Sequence, residues 1–499
     1  MNEESGTYLG QKGYSIFKEC LDEKEQKWLR ENLTVKPFVP KSPIQPPTFP
    51  IYRESNNKFY IPRFFGNETY GDPDEMRLTE GTPINIAFAG DLRDYQKNIV
   101  ATYMSSAKRS KDDKLGGGGL LEIPCGRGKT VIALNIISQL KTKTLVIVHK
   151  GFLLNQWVER IEQFLPNARV GKIQGQTLEI ENKDIVIGML QSLSMKEYPQ
   201  DMFSSFGLTI VDECHHISSE VFSRSLQKIV TKYVLGLSAT MQRKDGLTRV
   251  FKMFLGEIIY KEEREKTDFV LVKAIEFVSK DEEFNETAYD YRGNPAYSTM
   301  ITKLCSYSHR SEFILKVLKK EMDEKPNQQV MILAHNKNLL VYLFKAIEHR
   351  NLATVGYYLG GMKEKELKLT ESKQVIIATY AMAAEALDIK TLTTLILATP
   401  RTDVTQAVGR ILRVKHERPL VIDILDTHDV FKRQWGKRRK FYEKNNYKII
   451  HTNSNKYELN NWDTIYEPGQ KRIKNQQNAK QQNSKEPIIG KCMVQLCLE

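Results

Sequence analysis

Residues 123–130 read Ile-Pro-Cys-Gly-Arg-Gly-Lys-Thr, and the rest of the fold can be built outward from them. The apolar pair Leu120-Leu121 before this stretch is typical of a strand end, and the apolar run 131–137 after it predicts a helix. A glycine loop that ends in Gly-Lys-Thr between a strand and a helix is the pattern of a phosphate-binding loop, or P-loop. A glycine turn with a surface lysine is the simpler alternative.

The residue types in this loop suit a nucleotide. Gly126 and Gly128 lack a Cβ, so backbone N–H groups can close around phosphate oxygens, and the following helix N-terminus adds its positive dipole end. We expect Lys129 to reach the β- and γ-phosphates and the Thr130 hydroxyl to hold Mg²⁺. Ile123 replaces the first glycine of the common pattern. The predicted nucleotide-binding loop comprises Pro124, Cys125, Gly126, Arg127, Gly128, Lys129 and Thr130.

The composition indicates a reduced intracellular protein with folded cores. The chain has 499 residues, 40% of them hydrophobic, and its six cysteines show no paired metal-binding spacing. A formal charge of +13 favours a polyanionic partner. The polar N-terminus is not a signal peptide and no apolar run approaches the length of a membrane span. These features argue against a disulfide-rich secreted protein and a membrane protein.

Beyond the P-loop, strands alternate with helices, which predicts a parallel sheet with ligands beyond its carboxyl ends. The apolar strand 208–211 runs into Asp212-Glu213, where Asp212 can hold Mg²⁺ and Glu213 can orient or deprotonate an attacking water. A zinc site at Cys214, His215 and His216 is the alternative. Consecutive residues at a strand end point in different directions, and no second ligand pair follows, so we favour an ATPase.

A second α/β unit follows the charged stretch 261–266 and has no P-loop of its own. It carries the pattern QxxGRxxR at Gln406, Gly409, Arg410 and Arg413. On a helix Gln406, Arg410 and Arg413 share one face. Arginines aimed at a cleft can act as an arginine finger on a nucleotide of the first unit. An exposed basic helix is the alternative.

The flanking regions are less informative. Upstream, we expect a helix over 16–33, a proline-rich linker and two short aromatic strands at 51–53 and 59–65. Arg53, Tyr60, Arg63 and Phe64 could contact nucleic acid, but an aromatic mini-core with solvated arginines is favoured.

Downstream, the segment 432–448 has eight basic residues against Glu443, which fits a helical clamp on nucleic acid, a nuclear-localisation signal or a solvated helix face. Residues 471–485 are rich in Gln, Asn and Lys and are expected to be disordered.

Together these motifs resemble the superfamily 2 helicases of the DExH type. The resemblance rests on Gln96, the P-loop, Asp212-Glu213-Cys214-His215, Ser238-Ala239-Thr240 and residues 406–413 in this order. The run 238–247 is similar to the XPB branch, which restriction-type helicase subunits share. The stretches 52–53, 60–63 and 378–389 resemble helicases of large DNA viruses, including the poxvirus transcript-release helicases. Ala386 stands where the viral pattern usually has glycine.

The resemblance implies an α/β fold: two tandem RecA-like parallel-sheet domains with ATP between them, a small N-terminal accessory region and a basic C-terminal tail. The corresponding boundaries are 1–89, 90–265, 266–450 and, for a disordered polar tail, 451–499. The implied catalytic residues are Lys129, Asp212, Glu213, Arg410 and Arg413, and the implied metal ligands are Thr130 and Asp212. Gln96, Asp388 and Gln406 join the P-loop in binding ATP, and Gln96 reads adenine. Ser238, Ala239 and Thr240 couple ATP state to strand grip, and the strand contacts are Gln191, Ser192, Thr379 and Tyr380.

The function that follows is an ATP-dependent, Mg²⁺-dependent helicase or translocase acting on single-stranded or duplex DNA, linked to transcript elongation or release. An RNA helicase, the motor subunit of a restriction-type nuclease and a nucleic-acid-binding scaffold without turnover remain alternatives. We expect a monomer that works with the transcription machinery and not at a membrane. If the protein is viral, the host cytoplasm, in a virus factory, or the virion is the expected location.

Overall fold

The computed structural model describes residues 6–38, 45–108, 115–124, 126–199, 201–217, 220–241, 247–262, 269–385, 389–412, 416 and 418–469. Two eight-stranded sheets dominate this part of the chain, and a smaller five-stranded sheet precedes them. Helices separate most of the strands of the two large sheets, which confirms the predicted α/β class. No helix in the described ranges is both long and apolar enough to cross a membrane.

The N-terminal module is built from short strands and two helices. Its sheet has the order β5-β6-β2-β1-β7, and β3 pairs with β4 apart from it. The elements are β1 (Thr7–Gly10), β2 (Gly13–Phe17), α1 (Glu23–Asn32), β3 (Thr34–Val35), β4 (Phe49–Pro50), β5 (Arg53–Glu54), β6 (Lys58–Ile61), α2 (Arg63–Tyr70) and β7 (Glu75–Met76).

Two expectations for this module are wrong in detail. The helix predicted over 16–33 begins only at Glu23, because Asp22 caps it by accepting from the Glu25 N–H, and residues 13–17 pair as a strand instead. The second aromatic strand ends at Ile61, since Pro62 precedes α2 and takes the chain into a helix. The local content of apolar residues did not distinguish short strands from short helices in this module.

Arginines of the module attach it to the first large sheet. Arg63 is buried and donates to the backbone carbonyls of Thr231, Lys232 and Leu115 at 3.1, 2.8 and 2.7 Å. Arg53 donates to the carbonyl of Gln227. The aromatic mini-core is therefore present, but Arg63 is buried, Arg53 is half-buried, and both donate to backbone carbonyls. They satisfy carbonyl groups that folding would otherwise leave without a donor.

The first large sheet has the order β11-β10-β12-β9-β13-β14-β8-β15, and all of its pairs are parallel except β10–β11. Its central strands are buried on both faces, as parallel strands covered by helices must be. The elements are α3 (Asp94–Ala107), β8 (Gly118–Glu122), α4 (Lys129–Leu140), β9 (Thr144–Val148), α5 (Gly151–Phe164), β10 (Val170–Gln174), β11 (Thr177–Leu178), β12 (Ile185–Met189), α6 (Leu190–Met195), β13 (Leu208–Val211), α7 (Glu220–Lys228), β14 (Tyr233–Ser238), α8 (Thr248–Leu255) and β15 (Ile258–Lys261).

The second large sheet has the order β18-β19-β17-β20-β21-β16-β22-β23 and is parallel except for β22–β23. Its elements are β16 (Leu271–Phe277), α9 (Glu282–Asn285), α10 (Tyr297–Ser306), α11 (Ser308–Glu324), β17 (Gln329–Ala334), α12 (Lys337–His349), β18 (Val355–Tyr358), α13 (Glu364–Glu371), β19 (Val375–Thr379), α14 (Tyr380–Glu385), β20 (Leu392–Leu397), α15 (Thr405–Arg410), β21 (Leu420–Asp426), α16 (Asp429–Lys444), β22 (Lys448–Asn453) and β23 (Asp463–Tyr466).

The predicted start of the disordered tail at residue 451 is wrong. β22 pairs with β16 from Lys448 to Asn453, and β23 pairs back onto β22 from Asp463. Strand pairing satisfies the backbone polar groups of this polar segment, which its composition could not reveal. The expectation of disorder over 471–485 falls on residues outside the described ranges.

Two buried ion pairs fix helices against β21. Arg310 of α11 binds Asp426 through two N–H groups at 2.6 and 2.9 Å, and neither side chain is exposed. Arg438 of α16 binds Asp423 in the same bidentate way at 2.7 and 2.9 Å. Removing one partner would leave a buried charge, which typically costs about 3–5 kcal/mol. The basic helix predicted near residue 440 is therefore part of the second domain's core on this face.

α5 of the first domain also touches the second domain. Glu159 accepts from Lys368 of α13 at 2.6 Å, and Phe152 packs against apolar residues of both domains. Both residues of the ion pair are about half exposed, so this bridge itself contributes little. α5 therefore contacts both domains.

Candidate ATP site and nucleic-acid surface

The P-loop lies between β8 and α4 and owes its shape to two glycines. Gly126 and Gly128 have positive φ angles of 83° and 81°. A Cβ on Gly128 would lie 2.5 Å from Nε2 of Gln96, so no other residue fits there without a shift. α4 begins at Lys129, directly after Gly128, so its free N–H groups face the loop. Cys125 lies outside the described residues.

Gln96 holds this loop from behind. It is buried, its Nε2 donates to the carbonyl of Arg127 at 3.2 Å, and its Oε1 accepts from the N–H of Arg93 at 3.0 Å. Both ends of the amide thus have protein partners. The structure supports a role of Gln96 in shaping the loop, and its predicted contact with adenine stays a prediction.

The Arg127 side chain turns away from the loop. Its guanidinium packs over the ring of Tyr95, 3.9 Å from the centroid, and Nε donates to Glu262 at 2.6 Å. The Tyr95 hydroxyl donates to the carbonyl of Arg127 at 3.2 Å. α3 therefore supports the loop at two consecutive positions, Tyr95 and Gln96.

Lys129 and Glu213 form the central pair of the site. Nζ of Lys129 lies 2.7 Å from Oε1 of Glu213, and both side chains are mostly buried. Glu213 also has a positive φ of 48°, uncommon for a residue with a side chain and typical of functional sites. Burial acts to raise the pKa of Glu213, but Lys129 and then His215 outweigh it and hold that pKa well below its usual range. Glu213 is therefore a carboxylate at neutral pH.

Asp212 is fixed through both of its oxygens. The indole N–H of Trp157 donates to Oδ2 at 2.9 Å and the N–H of Glu213 donates to Oδ1 at 2.9 Å. Burial raises the pKa of Asp212, and the neighbouring Glu213 charge adds to that effect. A cation at this carboxylate would relieve the unfavourable burial of its charge.

The end of β14 is tied to the same cluster. Nδ1 of His215 lies 2.6 Å from Oγ of Ser238 and 3.3 Å from Oε2 of Glu213. Oγ of Ser238 donates in turn to the carbonyl of Thr240 at 2.7 Å. Lys129, Glu213, His215, Ser238 and Thr240 thus form one polar chain, with Ala239 between its last two members. This chain joins the P-loop to the predicted coupling segment.

The zinc alternative does not fit this geometry. Cys214 is fully buried, its Sγ lies 3.7 Å from Sδ of Met241, and burial raises the pKa of its thiol well above the usual range. A cysteine that binds zinc must do so as a thiolate. Within the described ranges no group of three or more His, Cys, Asp and Glu side chains is placed to hold a metal ion.

The residues fit a nucleotide with Mg²⁺ better. The glycine cradle, the start of α4 and Lys129 can take phosphate oxygens, while Thr130 and Asp212 supply the oxygen ligands that Mg²⁺ prefers. Thr130 is half-buried, one residue into α4. In the present conformation Lys129 is paired with Glu213, so a phosphate must displace this carboxylate to bind Lys129. These groups can therefore form a P-loop nucleotide site.

The chain is similar to known proteins in sequence and in fold. The profile of a family described as "Type III restriction enzyme, res subunit" matches residues 89–243. A protein named "Putative ATP-dependent RNA helicase L396" from Acanthamoeba polyphaga mimivirus is 36% identical over 451 residues, 88% of this chain and 85% of the relative. The protein named "DNA 3'-5' translocase XPB2" from Sulfurisphaera tokodaii is 25% identical over 378 residues, 67% of this chain and 81% of the relative.

The chain belongs to the superfamily 2 helicases. The structure of S. cerevisiae Dbp5 with RNA and ADP BeF3 has the same fold at a TM-score of 0.51 and 11% identity, covering 73% of this chain and 91% of that one. The two large sheets are accordingly tandem RecA-like domains. Membership of the family makes the protein an ATP-dependent helicase, in which ATP hydrolysis is coupled to nucleic-acid unwinding.

Of the ATP-binding residues predicted in the helicase's second domain, those that the structure describes do not form an assembled site in this conformation. Arg410 is only 5% exposed, and its Nε donates to the carbonyl of Ala383 at 2.7 Å. The expected orientation of Arg410 toward an open cleft is therefore wrong for this conformation. The physical reason is that a carbonyl at the end of α14 satisfies its charge inside the domain. Gln406 is half-buried on α15, and Asp388 and Arg413 lie outside the described residues, as does Ala386.

The helicase's predicted strand contacts divide into exposed and buried positions. Gln191 is exposed and donates to the carbonyl of His149 at 3.2 Å, and half-buried Ser192 accepts from the N–H of Gly175 at 2.9 Å. Thr379 is half-buried at the end of β19. Tyr380 is 3% exposed and its hydroxyl donates to the carbonyl of Thr399 at 2.5 Å. As a side-chain contact with nucleic acid, the prediction for Tyr380 is wrong in this conformation, because the ring packs inside the domain.

Trp157 also contacts the site of this helicase, which its sequence pattern alone does not indicate. Its ring lies in the apolar core beneath α5. Its indole N–H nevertheless reaches Asp212. The available signal was a tryptophan in an otherwise apolar stripe, since a buried indole N–H needs an acceptor.

Proposed function

We propose that this helicase is a DNA translocase that uses ATP hydrolysis to move along a strand, and that it serves transcript elongation or release. The observation that carries the proposal is the convergence of Lys129, Asp212 and Glu213 at one sheet edge, joined by hydrogen bonds to Ser238. The preference for DNA is supported by the similarity to XPB2, a relative named as a DNA 3'-5' translocase. The link to transcription rests on the resemblance to viral transcript-release helicases.

The first domain would bind and position the nucleotide. The P-loop, Lys129 and Thr130 hold the phosphates and Mg²⁺, with Asp212 as the acidic partner of the metal. ATP supplies the phosphoanhydride bond whose cleavage drives movement. Glu213, released from Lys129 when phosphate arrives, orients and deprotonates the attacking water. The low pKa of Glu213 describes its state beside Lys129, and loss of that partner would raise it.

The second domain would complete the site. We assign Arg410 and Arg413 as arginine fingers, with Gln406 and Asp388 as further contacts to the nucleotide. Arg410 must leave the carbonyl of Ala383 to act, so closure of the domains has to offer a better acceptor. The oxygens of a γ-phosphate are such acceptors, because they form charge-assisted hydrogen bonds with the guanidinium. The exchange is therefore favourable only when ATP is bound.

Coupling to nucleic acid would pass through the chain from Glu213 to Thr240. His215 lies between Glu213 and Ser238, and Ser238 begins the segment 238–240. A strand held by Gln191, Ser192 and Thr379 across both domains would favour closure. Release of phosphate would then free Glu213 to return to Lys129 and reopen the site.

An RNA helicase is the second candidate, favoured by the name of the 36% identical mimivirus relative. The motifs contact backbone and not bases, so they do not choose between the nucleic acids. ATPase rates with single-stranded DNA, duplex DNA and RNA as separate stimulators distinguish the two. DNA should raise kcat most, and Glu213→Gln should bind ATP without turning it over. If RNA alone raises the ATPase rate, the protein is assigned as an RNA helicase. If neither nucleic acid raises it, the proposal of a nucleic-acid motor is rejected.

The transcription role needs its own assay. Stalled elongation complexes of a purified RNA polymerase should release transcript when protein and ATP are added, and not with Glu213→Gln. Strand unwinding without transcript release would retain the helicase and reject its link to transcription.

A further inference from the structure

The turn between α9 and α10 exposes two tyrosines. The side chains of Tyr289 and Tyr291 are 64% and 88% exposed, and the Arg292 guanidinium lies 4.9 Å from the ring centroid of Tyr291. Most large aromatic side chains in the described ranges are buried or half-buried. Neither tyrosine contributes to the four apolar cores. Keeping both rings in water forgoes the stabilisation of burial.

The backbone that carries these rings is braced. Oδ1 of Asp290 accepts from the N–H groups of Arg292 and Asn294, each at 2.9 Å. The N–H of Asp290 donates to the carbonyl of Asn294 at 2.7 Å, and Gly293 supplies the positive φ of 73° that closes the turn. Tyr289 pairs with Pro295 as an isolated bridge. The turn therefore presents Tyr291 and Arg292 at a fixed tip.

The base of the turn is attached at the carboxyl edge of the second sheet. The Tyr297 hydroxyl donates to the carbonyl of Pro400 at 3.3 Å, just beyond β20, and the Tyr297 ring lies against Phe431. Nζ of Lys303 donates to the carbonyl of Glu286 at 2.9 Å. β17, β19 and β20 run parallel, so their carboxyl ends share the edge at which Thr379 lies. The tip thus projects from the edge that holds a predicted strand contact.

We propose that Tyr289 and Tyr291 stack on unpaired bases of a bound single strand while Arg292 contacts its phosphates. The proposal rests on the proposed function and adds a base-stacking site to it. Aromatic rings bind bases without regard to sequence, and an adjacent guanidinium matches the strand's charge. The chain's charge of +13 favours the same polyanion. A rigid turn also presents its rings with little ordering cost on binding.

The inference predicts a ring-dependent affinity. Tyr289→Ala and Tyr291→Ala should each weaken binding of a fluorescent single-stranded oligonucleotide about tenfold. Tyr289→Phe and Tyr291→Phe should stay within about threefold of wild type, because stacking needs only the ring. Arg292→Gln should reduce the salt dependence of binding. Tyr342→Ala is the matched control, a 40% exposed tyrosine of α12 whose hydroxyl donates to Glu312.

The outcomes separate this inference from the proposed function. Basal ATPase should be unchanged in all turn variants, since the turn lies outside the ATP residues. Wild-type affinity in the double alanine variant would overturn the stacking site and leave the motor in place. Equal losses in alanine and phenylalanine variants would also overturn it, in favour of a hydroxyl contact. Absence of oligonucleotide binding by the wild type would overturn the proposed function itself. Capture of a polymerase subunit by the turn, with oligonucleotide affinity unchanged, would assign the tyrosines to a protein partner instead.

Discussion

The indole N–H of Trp157 donates to Oδ2 of Asp212 at 2.9 Å, and both residues are buried. Trp157 belongs to α5, which also contacts the second domain through Phe152 and Glu159. One helix therefore touches both the predicted Mg²⁺ ligand and the neighbouring domain. The Trp157 indole is the direct contact between this helix and the Asp212 carboxylate.

Replacing Trp157 by Phe should keep an aromatic ring in the core, at some cost in packing, and remove this bond. A buried carboxylate oxygen left without its donor costs about 1–3 kcal/mol. We expect kcat to fall about tenfold and the apparent Mg²⁺ affinity, measured by Mn²⁺ competition, to change with it. Trp462→Phe is the control, since the Trp462 indole N–H donates to Asn460, far along the chain from the P-loop. Equal behaviour of the two variants would show that Trp157 only packs.

Lys129→Ala should abolish ATP turnover and leave nucleic-acid binding measurable. The lysine neutralises phosphate charge, whereas strand contacts are spread over both domains. The substitution also removes one of the two charged partners of the mostly buried Glu213, so thermal stability should fall. Lys97→Ala, which removes an exposed pair with Asp94, is the control for loss of a lysine near the site. Unchanged ATPase in Lys129→Ala would reject the P-loop assignment.

Arg410→Ala should lower kcat far more than it weakens ATP binding, and nucleic acid should no longer stimulate it. Arg410 is buried, so the thermal midpoint must be measured beside the rates. Arg401→Ala provides a nearby arginine whose side chain is only half-buried. If Arg410→Ala loses nucleic-acid affinity while basal and stimulated turnover stay normal, the helix clamps the strand and the arginine-finger assignment fails.

The exposed basic residues of α16 should supply sequence-independent affinity. Lys432, Arg433, Lys437, Lys440 and Lys444 are exposed, whereas Arg438 is buried. Deleting the chain after Asp426 would remove Arg438 and β22 and disrupt the domain, so point substitutions are the sound test. Changing Lys437, Lys440 and Lys444 together to Gln should lower the log–log salt slope by about 0.7 for each strand phosphate that the variant no longer neutralises. An unchanged slope would mean that these residues do not contact the strand and are a localisation signal or a solvated helix face.

His149 should make stability depend on pH below neutrality. Burial first, and then the Lys150 charge, lower the pKa of His149 to about 4. The unfolded value is about 6.5, so between these two values the unfolded chain binds the proton more readily and stability falls as pH falls. The loss is roughly 3 kcal/mol at most. His149→Asn should lose less of its thermal midpoint between pH 7.5 and 4.5 than wild type. His349→Asn, at the exposed end of α12, is the control, and a loss in His149→Asn equal to that of wild type would contradict the prediction.

Much of the ATP site was predictable because its residues are close in sequence and their chemistry is local. A glycine loop between strand and helix needs only a dozen residues, and Asp212-Glu213 follows its strand directly. The α/β class was predictable for the same reason, since apolar runs of strand and helix length alternate. The tail was misjudged because its strands are polar and short, and only pairing with β16 makes them strands.

The sequence by itself determined the class of fold, the family, and the candidate residues of a nucleotide site. The tertiary structure alone decided which partner each side chain takes: Glu213 for Lys129, Trp157 for Asp212, and the carbonyl of Ala383 for Arg410. It also decided that Tyr380 is buried while Tyr291 projects into solvent. Residue type and spacing fix what a side chain can bind. Only packing places donors and acceptors from distant segments within 3 Å of one another, because burial leaves no water to satisfy them.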